Sequence, residues 1–144
     1  MKSFSDVWRC TRQQERVRSP NGTAFTPQGD ALWVVSSFDV PAEVWQVATD
    51  GALAGEVTEV ASFESGNIPD GVAMGANGDL FIAQNAAGTV DRVTPDFRVS
   101  HVASGVDWAA SLVFGSGDFD PCAAYATSLF GDALFEVQVG QTGG

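Results

Sequence analysis

The sequence has few of the side chains that stabilise small domains by disulfide bonds or structural zinc. Its 144 residues include two Cys and one His. Cys10 and Cys122 are too few and too far apart for a disulfide framework, and a structural zinc site needs clustered ligands. His101, the single histidine, gives no convincing Ser-His-Asp triad. These absences exclude a disulfide scaffold, a zinc-finger-like domain and a histidine-based serine hydrolase.

Basic residues are also scarce. Seven Lys and Arg stand against eighteen Asp and Glu, which gives a formal net charge of −11. Such a charge repels phosphate backbones and anionic bilayers, so the sequence argues against nucleic acid and membrane partners. Five of the basic residues lie within residues 1–19, but they are spread among Gln, Glu and Ser and form no polybasic block.

Long apolar runs and helical periodicity are absent. The first residues contain no apolar signal-peptide core, and no later stretch approaches the roughly 20 apolar residues of a membrane span, so a cytoplasmic location is expected. The composition instead includes 16 Gly, 10 Phe and 4 Trp. Aromatic side chains fill pleated surfaces and glycines permit tight turns. This composition predicts an all-β fold.

A repeat organises the chain. The sequence Pro-Asn-Gly-Thr-Ala-Phe at 20–25 returns as Pro-Asp-Gly-Val-Ala-Met at 69–74, and each copy precedes a Gly-Asp turn and an apolar strand. The strands predicted after these motifs are 31–36, 43–47 and 55–63 in the first unit, 80–84, 89–93 and 98–103 in the second, and 124–128 and 133–137 in the third. A period of about 45 residues with four short strands is typical of propeller blades. We therefore predict three blades, each an antiparallel four-stranded sheet.

The third unit departs from the other two. It begins at 110–114, contains an insertion at 115–121, and stops after its third strand. Residues 20–144 are predicted to form the three-blade partial propeller, and residues 1–19 an N-terminal arm whose end near 15–19 forms the outer strand of a blade. Three blades cannot close a ring. The chain could pair with a second copy, contact another partner, keep open end faces, or belong to a longer protein. A homodimer would complete a six-bladed propeller.

The motifs and their order resemble the regucalcin and gluconolactonase-like propellers, a family of six-bladed, metal-dependent sugar-lactone hydrolases. The matching stretch runs from Pro20 to about Gly140 and corresponds to the C-terminal half of that propeller. The resemblance implies that Asn21 and Asp70 bind a divalent cation, with Ca²⁺ ahead of Mg²⁺ or Zn²⁺. It also implies that the chain hydrolyses a small-molecule lactone and that Asp70 positions or activates the attacking water.

Other interpretations remain open. Pro-Asn-Gly and Pro-Asp-Gly are also ordinary turn sequences. The family's third metal ligand is a Glu in a blade that this sequence does not contain; Glu15 lacks its sequence setting, and Ala110 fills the third blade's slot. The alternative is a non-catalytic propeller fragment or binding scaffold with an incomplete metal site. His101 is interpreted as an exposed polar residue of an outer strand, and Asp118 and Asp120 as caps of a solvent-facing loop.

Overall fold

In the computed structural model, residues 16–144 are described, and these residues form three antiparallel sheets. The first sheet contains β1 (Pro20–Phe25), β2 (Ala31–Ser36), β3 (Ala42–Ala48) and β4 (Val57–Phe63); the second contains β5 (Pro69–Met74), β6 (Leu80–Gln84), β7 (Thr89–Val93) and β8 (Val99–Ser104); the third contains β9 (Ala109–Phe114), β10 (Ala123–Ser128) and β11 (Leu134–Gln138). One short 3₁₀ helix, Gly51–Leu53, and no α-helix occurs among residues 16–144. The predicted all-β fold of propeller-type blades is confirmed.

Each sheet is a meander in which neighbouring strands along the chain are hydrogen-bonded neighbours in space. The strand orders are β1-β2-β3-β4, β5-β6-β7-β8 and β9-β10-β11. We call them blades 1, 2 and 3. Blade 3 has three strands, in agreement with the absence of a fourth apolar segment in its sequence. Neighbouring antiparallel strands need only short turns between them. Gly29 and Gly78 supply the positive φ angles of the two Gly-Asp turns (76° and 89°).

The core lies between the blades. Because side chains alternate across a strand, each inner strand pair presents one set of residues to the preceding blade and one to the following blade. Trp33 and Val35 of blade 1 cluster with Leu80 and Ile82 of blade 2. A second cluster joins blade 2 to blade 3 and contains Phe81, Ala83, Ala109, Ala124 and Ala126. The blades are therefore held together chiefly by apolar burial.

The first strands of the three blades lie side by side, and glycine permits this close approach. A Cβ atom on Gly22 would overlap the backbone oxygen of Asp70, and one on Gly71 would overlap the backbone oxygen of Ala110. Any larger residue would push the neighbouring strand away. The third residue of each Pro-x-Gly motif thus sets the distance between blades at the axis, which a turn sequence alone would not require.

Buried polar side chains link consecutive blades next to this contact. Ser37 Oγ donates to the Pro69 carbonyl at 2.6 Å. Asn85 Nδ2 donates to the Ala109 carbonyl at 3.2 Å. Both donors directly follow the second strand of their blade, and both acceptors belong to the first residue of the next blade's inner strand. Each bond thus gives a side-chain donor to a backbone carbonyl of the next inner strand.

The insertion 115–121 and the segment after β11 both pack on the blades. The insertion 115–121 folds onto its own blade, where the ring of Phe119 packs edge-to-face on Tyr125 with centroids 5.1 Å apart. After β11 the chain returns to blade 2, where Gly143 bridges Gly75. The predicted arm at 1–19 falls mainly on residues 1–15, which lie outside the described residues, and stays a prediction. No helix within residues 16–144 has the length and apolar character needed to cross a membrane.

Candidate metal centre

A β-bulge occurs at the same place in all three inner strands. In β1, Pro20 pairs with Ser36 but Thr23 pairs with Val34, so one extra residue is inserted between them. The same shift occurs between Pro69 and Val72 of β5, and in the pairing of β9 with β10. A bulge re-aims the side chains of its residues relative to the sheet. The residues in these bulges are Asn21 and Gly22, Asp70 and Gly71, and Ala110 and Ser111.

The bulges bring the two predicted metal ligands together. Asn21 Nδ2 donates a hydrogen bond of 3.0 Å to Asp70 Oδ1, although the residues are 49 positions apart in sequence. Both are the second residue of their inner strand, so both lie within strands. Asn21 is exposed and Asp70 is half-buried. The pair is therefore accessible to solvent and to a ligand at this end of the molecule.

The chemistry of the pair suits a hard cation, but it supplies only part of a coordination shell. An amide oxygen and a carboxylate are the donors that Ca²⁺ and Mg²⁺ prefer, and Ca²⁺ takes about 6–8 oxygen ligands. The next slot around the axis holds Ala110, whose side chain has no donor atom. Within residues 16–144, no three His, Cys, Asp or Glu side chains are grouped so that they could bind a metal. Water, substrate or other protein groups must complete the shell.

The remaining polar candidates lie elsewhere and have structural partners. His101, in the outer strand β8, contacts Asp91 Oδ1 through Nδ1 at 3.1 Å and Ser104 Oγ through Nε2 at 2.8 Å. Asp120 accepts from the Cys122 backbone N–H at 2.8 Å. It also accepts from Gln138 Nε2 at 3.2 Å. These contacts agree with the interpretation of His101 as an outer-strand residue and of Asp120 as a loop cap.

The fold and the site define a propeller-type protein in which polar side chains of adjacent blades meet where the inner strands begin. The chain belongs to the family described as the SMP-30/gluconolactonase/LRE-like region, whose model matches residues 3–128. No curated protein sequence matches the chain significantly.

Solved structures of several kinds share the fold. A gluconolactonase from Xanthomonas campestris superposes with a TM-score of 0.68 at 19% identity, over 89% of this chain and 39% of that one. A calcium-binding regucalcin from Agrobacterium tumefaciens gives 0.69 at 20% identity, over 89% and 48%. A nidogen/laminin complex gives 0.69 at 13% identity, over 86% and 44%. This chain thus spans less than half the length of each of these structures.

Sequence reasoning missed two features of this end of the molecule. It did not identify the Ser37 and Asn85 links, although alignment of the repeat places a polar residue after the second strand in blades 1 and 2. It also overlooked Trp108 and Phe130. Trp108 directly precedes β9, Phe130 lies in the turn after β10, and their rings pack edge-to-face. The repeat places Phe38 of blade 1 at the position of Phe130, but Ser19 and Ile68 stand where blade 3 has Trp108, so no repeat signal marks the pair.

Proposed function

We propose that this chain contributes to a metal-dependent lactone hydrolase of the gluconolactonase type, acting on a sugar lactone or a related lactone. The observation that carries this proposal is the contact between Asn21 and Asp70 across two blades, at equivalent bulges of their inner strands. Membership of the SMP-30/gluconolactonase/LRE-like family supports it, as does the fold shared with a gluconolactonase and a calcium-binding regucalcin.

Asn21 and Asp70 would hold the cation, with Ca²⁺ ahead of Mg²⁺ or Zn²⁺ because both donors are oxygens. The amide of Asn21 would turn its oxygen toward the ion, and this turn would replace the hydrogen bond to Asp70 Oδ1. The bound cation would supply polarisation of the lactone carbonyl. The exposure of Asn21 leaves room for water or substrate to fill the remaining positions.

Asp70 is the residue assigned to catalysis. One carboxylate oxygen of Asp70 would hold the cation, and the other would accept a hydrogen bond from the attacking water. The water oxygen would bond to the carbonyl carbon, the ring C–O bond would break, and the water proton would pass through Asp70 to the departing alkoxide. The product is the open hydroxy acid. Asp70 therefore orients the nucleophile and carries the proton.

The test combines metal binding with activity. Asp70→Asn keeps the shape and removes the charge, so we expect Ca²⁺ binding by calorimetry and Ca²⁺-dependent lactone hydrolysis to fall by at least about a hundredfold. Asp50→Asn is the matched control, since Asp50 is exposed and lies beyond the far end of β3. Ca²⁺ affinity that is equal in the wild type and the Asp70→Asn variant would leave Asp70 a purely structural residue of the β5 bulge.

A non-catalytic binding scaffold is the second candidate. Ala110 in the third slot favours it, because the blade that follows Asp70 offers no ligand side chain. The fold is also shared with a protein of the nidogen/laminin complex, so it is compatible with protein binding. A wild-type chain that binds no divalent cation and hydrolyses no lactone would favour the scaffold.

A further inference from the structure

An exposed aromatic pair lies at the same end of the molecule as Asn21 and Asp70. Trp108 directly precedes β9, and Phe130 lies in the turn between β10 and β11. Their rings pack edge-to-face with centroids 5.2 Å apart, yet Trp108 is 46% exposed and Phe130 74% exposed. Trp108 stands two residues before Ala110, whose carbonyl packs against Gly71. The pair is therefore next to the inner-strand position that follows Asp70 around the axis.

The backbone of Trp108 is in a conformation that its side chain disfavours. The Ala109 N–H donates to the Val106 carbonyl at 3.0 Å, which closes a four-residue turn with Trp108 at its third position. There φ is +56°, a value typical of glycine or asparagine and rare for a bulky aromatic residue. Residues in such conformations persist when the surroundings fix them, and they concentrate at functional sites.

The surroundings do fix Trp108. Its carbonyl accepts the Leu129 N–H at 2.9 Å and Asn85 Nδ2 at 3.3 Å, so blade 2 and the β10–β11 turn both hold it. Burial does not explain the choice of tryptophan, because nearly half of the residue is exposed. Leu129, which precedes Phe130 in the sequence, is itself 54% exposed. Trp108, Leu129 and Phe130 thus form an exposed apolar surface at the same end of the molecule as the candidate metal centre.

We propose that this apolar surface binds the substituent of the substrate and selects neutral lactones that carry an alkyl or aromatic group over polyhydroxylated ones. The inference rests on the proposed function and names its substrate class. Trp108 and Phe130 act as specificity residues, since their side chains offer ring faces and edges for C–H contacts. Apart from the indole N–H, the three side chains carry no hydrogen-bonding group that a polyol would need.

The test compares two lactones with the same ring. For the full chain with Ca²⁺, we expect KM to be roughly five- to tenfold lower for δ-decalactone, which has a pentyl group, than for glucono-δ-lactone. Trp108→Gly should raise KM for δ-decalactone by a similar factor and leave kcat and KM for glucono-δ-lactone unchanged. Phe130→Ala should act in the same direction and guards against a folding defect in the first variant.

Phe97→Gly is the matched control. Phe97 is also a partly exposed aromatic residue in the left-handed backbone conformation, with φ of +66°. Its turn, however, lies between β7 and β8, at the opposite end of the sheets. Its KM values should equal those of the wild type. The proposal is overturned if both lactones give equal KM in the wild type, or if Trp108→Gly and Phe130→Ala lower kcat and melting temperature without changing KM.

Binding of the lactam that corresponds to δ-decalactone separates this inference from the proposed function, because a lactam binds without being hydrolysed under these conditions. Lactam binding that is lost in Trp108→Gly, in a chain that hydrolyses no lactone, would support the apolar surface and overturn the hydrolase. Hydrolysis that depends on Asp70 but shows no preference between the lactones would support the hydrolase and overturn the apolar surface. Absence of both would overturn both.

Discussion

Blades 2 and 3 share the order of their first three strands, but they differ in the face that each turns toward the next position around the axis. The face of blade 2 packs on blade 3 and presents Phe81, 1% exposed, and Ala73, 8% exposed. The corresponding face of blade 3 presents half-buried Tyr125, and Val113 that is 63% exposed. Both faces carry an aromatic residue in the second strand. The difference shows that these side chains are buried where a following blade covers them.

Blades 2 and 3 also differ in a small residue of their inner strands, near the axis. Gly71 lets Ala110 approach closely, whereas the equivalent residue of blade 3 is Ser111, which is exposed. Blade 3 also carries the insertion 115–121, which covers part of this face through Phe119. Tyr125 is held further by its hydroxyl, which donates to Glu136 Oε2 at 3.1 Å and accepts from the Asp120 N–H at 3.2 Å. The face of blade 3 is thus partly covered by its own loop.

The largest effect should come from Phe81 and Tyr125, the equivalent aromatic residues in the second strands of blades 2 and 3. Phe81→Ala removes a fully buried ring from the core between blades 2 and 3, so we expect a loss of about 3–5 kcal/mol in the free energy of unfolding. Tyr125→Ala removes one ring contact and two hydrogen bonds near solvent, and should cost about 1–2 kcal/mol. Urea unfolding measures both. Equal losses would mean that the two faces are equally covered.

The glycine positions should give the next largest effect. Gly71→Ala places a Cβ atom against the Ala110 backbone oxygen, so the inner strands of blades 2 and 3 must separate. We expect a cost of about 1–3 kcal/mol, as is typical of overpacking. Val72→Ala in the same strand is a control for a small change of side-chain volume without a clash. Gly71→Ala as stable as the wild type would show that the inner strands separate without cost.

The sequence predicted most of this architecture because the repeat encodes it directly. The positions of β2 and β6 follow from apolar runs after glycine turns, and that of β7 from its place in the repeat; all three match the structure. The meeting of Asn21 and Asp70 was expected from the family resemblance. The bulges were not, since an extra residue in one strand has no signature until its pairing partner is known. The strained Trp108 was missed for a similar reason: φ depends on the turn that encloses it, and tryptophan is no signal for such a turn.

The homodimer predicted from the sequence can be tested on the open face of blade 3. In a ring of two copies, blade 1 of one copy would follow blade 3 of the other, and the backbone of the partner's Asn21 would face Ser111. By analogy with Gly71 and Ala110, the Ser111 side chain would hold these strands apart. We therefore expect that Ser111→Gly strengthens self-association by about tenfold, measured by sedimentation velocity at low micromolar concentration. A wild type and a variant that both stay monomeric would overturn the homodimer.

The smallest effect concerns Glu43 in β3 of blade 1, which carries a charge where the surfaces between the blades are apolar. Burial, followed by repulsion from Glu59 and Asp39, raises the pKa of Glu43 above its ordinary value of 4.5. The folded chain therefore binds this proton more tightly than the unfolded chain. The contribution of Glu43 to stability is greatest near and below pH 4.5 and is lost as the pH rises through the raised pKa.

Glu43→Gln should consequently raise the melting temperature slightly at pH 7 and leave it unchanged near pH 4, since glutamine resembles the protonated acid. Asp96→Asn is a control of opposite sign. A hydrogen bond from Thr94, aided by Arg98, lowers the pKa of Asp96 below 3.8, so its loss should lower the melting temperature at pH 7 and have no effect below the lowered pKa. A gain for Glu43→Gln that is the same at both pH values would assign the effect to packing instead of charge. A gain confined to neutral pH would show that ionised Glu43 costs stability. Blade 1 would then keep a charged group at this position, unlike the apolar faces between the blades.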